Sequence, residues 1–199
     1  CIRRSTVQHT IDSNSYCDPL GGSNYFKFLS HRPSNEKPII LVTTGIDAFT
    51  MFEYYTPAAN KPISSIIGML SLADLLAKYR DDFVDYNLLF VLFDNEAFDY
   101  GGSSRFVNEL NMNTFPSLTV DTPVGPKQFQ LSKSNMSTIV EIGQLGSLGL
   151  GENSKLFVHR DPITYSQNET IRNLVDTFIS KISSTIFKIQ FYISSLDLK

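Results

Sequence analysis

A chain of 199 residues with 42% hydrophobic content has material for a substantial core, which excludes wholesale disorder. Seventeen Lys plus Arg against twenty Asp plus Glu leave a net charge of −3, too small to gather a polyanion such as nucleic acid. The longest uninterrupted apolar run, residues 88–93, falls far short of the roughly twenty needed for a membrane-spanning helix.

The first residue is Cys1, and no basic stretch followed by an apolar one marks a signal peptide, so the chain reads as an excerpt of a larger protein. Cys1 and Cys17 bracket a polar segment, and a pair closing so short a loop is a reasonable disulfide in an oxidising compartment. Asn135-Met136-Ser137 and Asn168-Glu169-Thr170 are acceptor sequons for N-glycosylation. With the cysteine pair they point to a lumenal or extracellular domain.

Residues 38–46 form a continuous apolar and β-branched run after the turn-rich stretch 30–37, which predicts a strand buried on both faces. A helix is expected over 64–79, where Ile66, Ile67, Leu70, Ala73, Leu76 and Ala77 fall at helical spacing behind Pro62. Residues 86–93 give a second buried strand. The glycine-rich turn 99–104 then leads into a short helix over 105–110. After a polar connection over 120–135 with no strong periodicity, residues 138–143 read as a strand, with a shorter one at 155–159. Ile171, Leu174, Val175, Phe178, Ile179, Ile182 and Ile186 trace a helical core stripe that Ser166 or Asn168 can cap, and 188–193 can form a last strand.

Strands alternating with helices imply an α/β domain whose mixed, mainly parallel sheet carries helices on both faces and collects its chemistry at the carboxyl ends of the strands. No repeat or linker divides the chain. We read residues 1–37 as a disulfide-bounded leading segment and 38–199 as part of one α/β domain.

The residues exclude several chemistries. Ser147, in Gly146-Ser147-Leu148-Gly149, lacks the nucleophile-elbow spacing, and no phosphate loop is present. His159-Arg160-Asp161 imitates a kinase tripeptide without the other kinase motifs, and Arg105, Lys127 and Lys133 are too scattered for a nucleic-acid patch.

The order strand, helix, strand, followed by Asn95-Glu96-Ala97-Phe98-Asp99-Tyr100-Gly101-Gly102-Ser103, resembles the zinc aminopeptidase family. A two-zinc peptidase needs clustered His and carboxylate ligands and a Glu base. The resemblance implies that Gly45-Ile46-Asp47 has lost the His ligand and kept the supporting Asp47. Lys61 then stands where the bridging Asp belongs, and Glu96-Ala97 keeps the base but has a methyl group for the ligand. Glu141 aligns with a remaining acidic ligand. One carboxylate cannot hold two zinc ions, so a non-catalytic relative with no cofactor and no metal is expected.

Three passages carry a closer resemblance, to the nicastrin family: Cys1 through Cys17-Asp18-Pro19-Leu20, residues 93–105 and residues 159–173. It implies the ectodomain of a single-pass membrane protein of the endoplasmic reticulum, Golgi, plasma membrane and endosomes. That protein would join presenilin and two smaller membrane subunits in γ-secretase. Presenilin performs the proteolysis of type I membrane protein substrates. Gly101, where the family has Ile, is expected to loosen the turn.

Two readings of Glu96 stay open. With Tyr100 it can capture the amino terminus of a substrate, or it is structural, bonded to nearby amides or paired with Lys61. Asp47, Asp99, Ser103 and Glu141 are read as ordering the motif. The alternatives are a working secreted zinc aminopeptidase with ligands recruited from His9, His31 or His159, and a free secreted binding module.

Overall fold

The computed structural model describes residues 2–3, 17–18, 21–30, 33–48, 60–97, 99–145, 159–160, 162–183 and 191–194. In chain order the elements are β1 (Ile2–Arg3), β2 (Cys17–Asp18), β3 (Tyr25–Phe28), β4 (Ile39–Gly45), α1 (Asn60–Ala77), β5 (Asn87–Phe93) and α2 (Gly101–Asn111). They continue with β6 (Leu118–Thr122), β7 (Gly125–Phe129), β8 (Met136–Ile142), β9 (His159–Arg160), α3 (Pro162–Gln167), α4 (Glu169–Ser183) and β10 (Phe191–Ser194).

The main sheet has six strands in the order β3-β5-β4-β8-β10-β9. At its centre β4 runs parallel to both β5 and β8, with Leu41 beside Leu89 and Ile139. The edge strand β3 is antiparallel to β5, β10 is antiparallel to β8, and β9 is parallel to β10. The leading segment therefore adds a strand to the same sheet as the α/β domain. Its β1 and β2 pair antiparallel, Ile2 opposite Asp18 and Arg3 opposite Cys17. Cys1, and with it the expected disulfide, lies outside the described residues.

Burial on both faces explains the unbroken apolar runs of β4 and β5. On one face Ile39, Leu41, Leu89, Val91 and Phe93 pack with Phe106 and Leu110 of α2 and with Phe115, Phe129 and Leu131. The rings of Phe26, Phe106 and Phe115 meet at 5.3–5.6 Å, within the range favoured by aromatic pairs. On the other face Val42, Leu88, Phe90 and Ile142 pack with Met69 of α1 and with Ile171 and Val175 of α4. Each face of the sheet thus has its own core.

Several elements differ from the sequence reading. Helix α1 begins at Asn60, four residues earlier than the periodicity suggests, and buries Pro62, Ser65 and Met69, while Ile67 and Leu70 are 59% and 58% exposed. The helix is apolar nearly all round, so spacing alone does not select the buried face. On α4, Ile171 and Val175 are buried, whereas Leu174 and Ile179, expected in the core stripe, are exposed. The polar connection over 120–135 forms most of the hairpin β6–β7, which starts two residues earlier and is paired from Leu118 opposite Phe129 to Thr122 opposite Gly125. Only one face of it meets the core, where Leu118, Val120 and Phe129 join the phenylalanine cluster.

Candidate functional site

The site forms where the parallel strands end. After β4 the chain stays beside β5, since the Ile46 N–H donates to the Phe93 carbonyl at 2.9 Å. That places Asp47 under the loop following β5. The N–H of Glu96 donates to Asp47 Oδ1 at 2.8 Å and the N–H of Ala97 to Oδ2 at 3.0 Å. One carboxylate thereby fixes two consecutive peptide groups.

The loop then folds back on itself. Tyr100 N–H donates to the Glu96 carbonyl at 3.2 Å, and Gly101 N–H donates to the Asn95 carbonyl at 2.9 Å. Asn95, Asp99 and Tyr100 take left-handed backbone angles, with φ of 60°, 60° and 57°. Such angles are strained for residues with a side chain and persist only where surrounding contacts impose them.

The Glu96 side chain lies over Gly45, where a Cβ would come to 3.2 Å from Glu96 Cβ and Cγ. Its carboxylate reaches the start of α2. Ser103 N–H donates to Oε1 at 2.7 Å and Ser103 Oγ donates to Oε2 at 2.9 Å. Ser103 stands in the first turn of α2, where backbone N–H groups lack partners within the helix and the helix dipole favours negative charge. Glu96 is thus an external cap supplied from five residues before the first residue of the helix. Among the described residues Arg105 and Glu109 form an ion pair, and none joins Lys61 to Glu96.

Glu141 occupies β8 beside Thr43 of β4 and opposite Tyr192 of β10. Burial raises its pKa above the ordinary carboxylate value. Lys61, in the first turn of α1, opposes that rise, and the negative charge of Glu96 adds to it. Asp47, Glu96, Ser103, Glu141 and Lys61 therefore gather at one end of the sheet. Tyr100 and Asp99 lie on the outer rim, with Tyr100 63% exposed.

Other expected positions fall elsewhere. Asn135 closes a single helical turn and donates through Nδ2 to the Asn35 carbonyl at 3.0 Å. Asn168 caps α4, its Oδ1 accepting the Ile171 N–H at 3.2 Å, so the glycosylation nitrogen is not the capping atom. His159 is on the edge strand β9, and His9 and His31 lie outside the described residues. Among the described residues no group of three or more His, Cys, Asp or Glu could hold a metal ion. The donors here do not fit a two-zinc centre.

Asn24, which the sequence reading passed over, also belongs to the site. Its Oδ1 accepts the Asp94 N–H at 3.0 Å and its Nδ2 donates to the Gly102 carbonyl at 3.1 Å. No local pattern signals this role.

A mixed sheet with a parallel centre, helices on both faces and carboxylates collected at the strand ends defines an aminopeptidase-like α/β domain. Residues 38–197 match the family described as "Nicastrin large lobe", and the chain belongs to the nicastrin family. It is 30% identical over 195 residues to nicastrin of Homo sapiens, covering 93% of this chain and 25% of that protein. Against nicastrin of Arabidopsis thaliana the identity is 27% over 160 residues, covering 78% and 22%. The crystal structure of the γ-secretase component nicastrin superposes with a TM-score of 0.63 at 23% identity, covering 92% of this chain and 38% of that one. That likeness carries the fold. The chain spans about a quarter of the length of the curated relatives it matches.

Proposed function

We propose that this chain is part of the lumenal or extracellular ectodomain of a γ-secretase component. In this reading it serves substrate selection and assembly and hydrolyses no peptide bond itself. Its partners are presenilin and the two smaller membrane subunits, and its substrates are type I membrane proteins. Family membership supports the placement, since a solved relative is a γ-secretase component.

One observation carries the mechanistic part: each Glu96 oxygen already accepts a bond from Ser103. A carboxylate engaged in capping a helix is poorly disposed to act as a base or to take over an incoming ammonium group. The arrangement favours selection by the bulk of a well-ordered globule that overhangs the membrane protease and excludes long ectodomains. Tyr100, exposed beside it, is open to contact with a substrate.

Co-purification from detergent with presenilin tests membership, and a protein that leaves the membrane fraction untouched refutes it. The selection mechanism is tested on short-ectodomain substrates with free or acetylated amino termini. Equal cleavage of the two forms, with cleavage lost as the ectodomain lengthens, is the expected result. Dependence on the free amine would restore Glu96 and Tyr100 as a capture site. Chelator-sensitive release of an aminoacyl reporter by the purified protein would overturn the non-catalytic reading.

A further inference from the structure

The loop that carries Glu96 and Tyr100 is held from two sides. From β4 comes Asp47. From the opposite side come residues 21–24, which arrive just before the edge strand β3. Asn24 spans both ends of the loop, accepting from the Asp94 N–H at 3.0 Å and donating to the Gly102 carbonyl at 3.1 Å. Ser23 N–H donates to Asp94 Oδ2 at 3.2 Å, and Asn95 Nδ2 donates to the Gly21 carbonyl at 3.3 Å.

Two glycines mark how close this approach is. A Cβ at Gly22 would run into Asp94 Oδ2 and Asn95 Nδ2, and one at Gly102 would run into the Asp94 carbonyl oxygen and Asn24 Oδ1. Between these anchor points lie Asn95, Asp99 and Tyr100 in their left-handed conformations. Strained residues of this kind relax once the contacts that impose them are released.

We propose that residues 21–24 form a latch, with Asn24 as its positioning residue, that holds the Glu96–Tyr100 loop in its strained form and couples the loop to the leading segment. The latch acts on the loop whatever the loop touches, so it stands apart from the reading of the site given above. Glu96, Ala97 and Ser103 report its state, because their N–H groups are bonded only while the loop is folded against Asp47 and α2.

Amide hydrogen exchange on the purified protein tests this. Asn24→Ala should speed exchange at Glu96, Ala97 and Ser103 by about tenfold or more while Leu41 and Val91, in the central strands, keep their rates. Unchanged loop rates would overturn the proposal, as would an equal rise at Leu41 and Val91, which signals general destabilisation. Asn24→Asp provides a second reading if the alanine variant does not fold. It keeps an acceptor for Asp94 N–H but loses the donor to the Gly102 carbonyl. Ser103 should then exchange faster while Asp94 stays protected, and identical behaviour of the two amides would refute the latch.

Discussion

Glu96 and Ser103 are joined twice, by the backbone N–H of Ser103 to Oε1 at 2.7 Å and by its hydroxyl to Oε2 at 2.9 Å. The pair ties the end of β5 to the start of α2 and leaves neither carboxylate oxygen without a donor. A residue that resemblance makes a general base here accepts two hydrogen bonds at a helix terminus. The same bond pattern explains how a helix can begin on Gly101 and Gly102, which are poor helix formers by themselves.

Removing the Glu96 carboxylate should therefore be felt as lost stability. Glu96→Ala leaves the Ser103 N–H without its acceptor and the hydroxyl with only its 3.4 Å bond to the Tyr100 carbonyl, a cost of about 1–2 kcal/mol for partly buried groups. For a chain of this size that lowers the melting temperature by a few degrees, on the order of 2–4 °C per kcal/mol. Glu96→Gln keeps one acceptor oxygen and should fall between. Thermal denaturation of the three proteins decides the matter, and three equal melting temperatures would remove the structural role.

Asp47 accepts two consecutive N–H groups, so its truncation should loosen the loop more than the sheet. Charge-assisted bonds exceed neutral ones, but Asp47 is partly exposed, so Asp47→Ala is expected to cost about 2 kcal/mol, with Asp47→Asn costing less. Equilibrium denaturation gives the size. Site-resolved exchange should show the Glu96 and Ala97 amides losing protection before those of Val91 or Leu89. Retained protection at both loop amides would mean that Asp47 is dispensable.

The parts of the fold legible in the sequence are those whose burial leaves a run or a period. β4 and β5 are wrapped on both faces and read as unbroken apolar strands. β3 offers only four residues, too few for a period, and β6–β7 place Thr119, Asp121 and Gln128 on an exposed face, so polar composition hides that hairpin. The first turn of α1 is held by Ser64 and Ser65 hydroxyls donating to the Asn60 and Lys61 carbonyls, which no apolar spacing announces. At the site, Glu96, Asp47 and Ser103 stand out through resemblance. Asn24 bonds across a separation of 70 and 78 residues, and such a contact has no local signature.

Gly102 is required by close approach, not by its backbone angle, since it is absent from the positive-φ residues. A methyl group there meets the Asp94 carbonyl oxygen and Asn24 Oδ1, and the first of these is backbone that cannot rotate away. Gly102→Ala should cost about 2–3 kcal/mol despite the better helix propensity of alanine. A rise or no change in the denaturation midpoint would show that the loop yields without cost.

Glu141 makes stability depend on pH, and the direction follows from its surroundings. Burial raises its folded-state pKa above the ordinary 4.5, Lys61 offsets part of that rise and Glu96 increases it. A carboxyl whose folded pKa exceeds its unfolded one holds its proton longer in the native state. Its contribution to stability is complete below about the unfolded value and is lost as pH climbs through the folded value. As pH rises towards neutral, half-buried Glu141 therefore becomes a burden on the folded state. Glu141→Gln should raise the melting temperature at pH 7, and the gain should disappear below about pH 4.5, where both proteins carry a neutral side chain. Lys61→Met should deepen the burden by removing the opposing cation, and Glu96→Gln should lighten it. Melting temperatures across the acid and neutral range test the sign, and a Glu141→Gln protein less stable at pH 7 than at pH 4, relative to the parent, would reverse it.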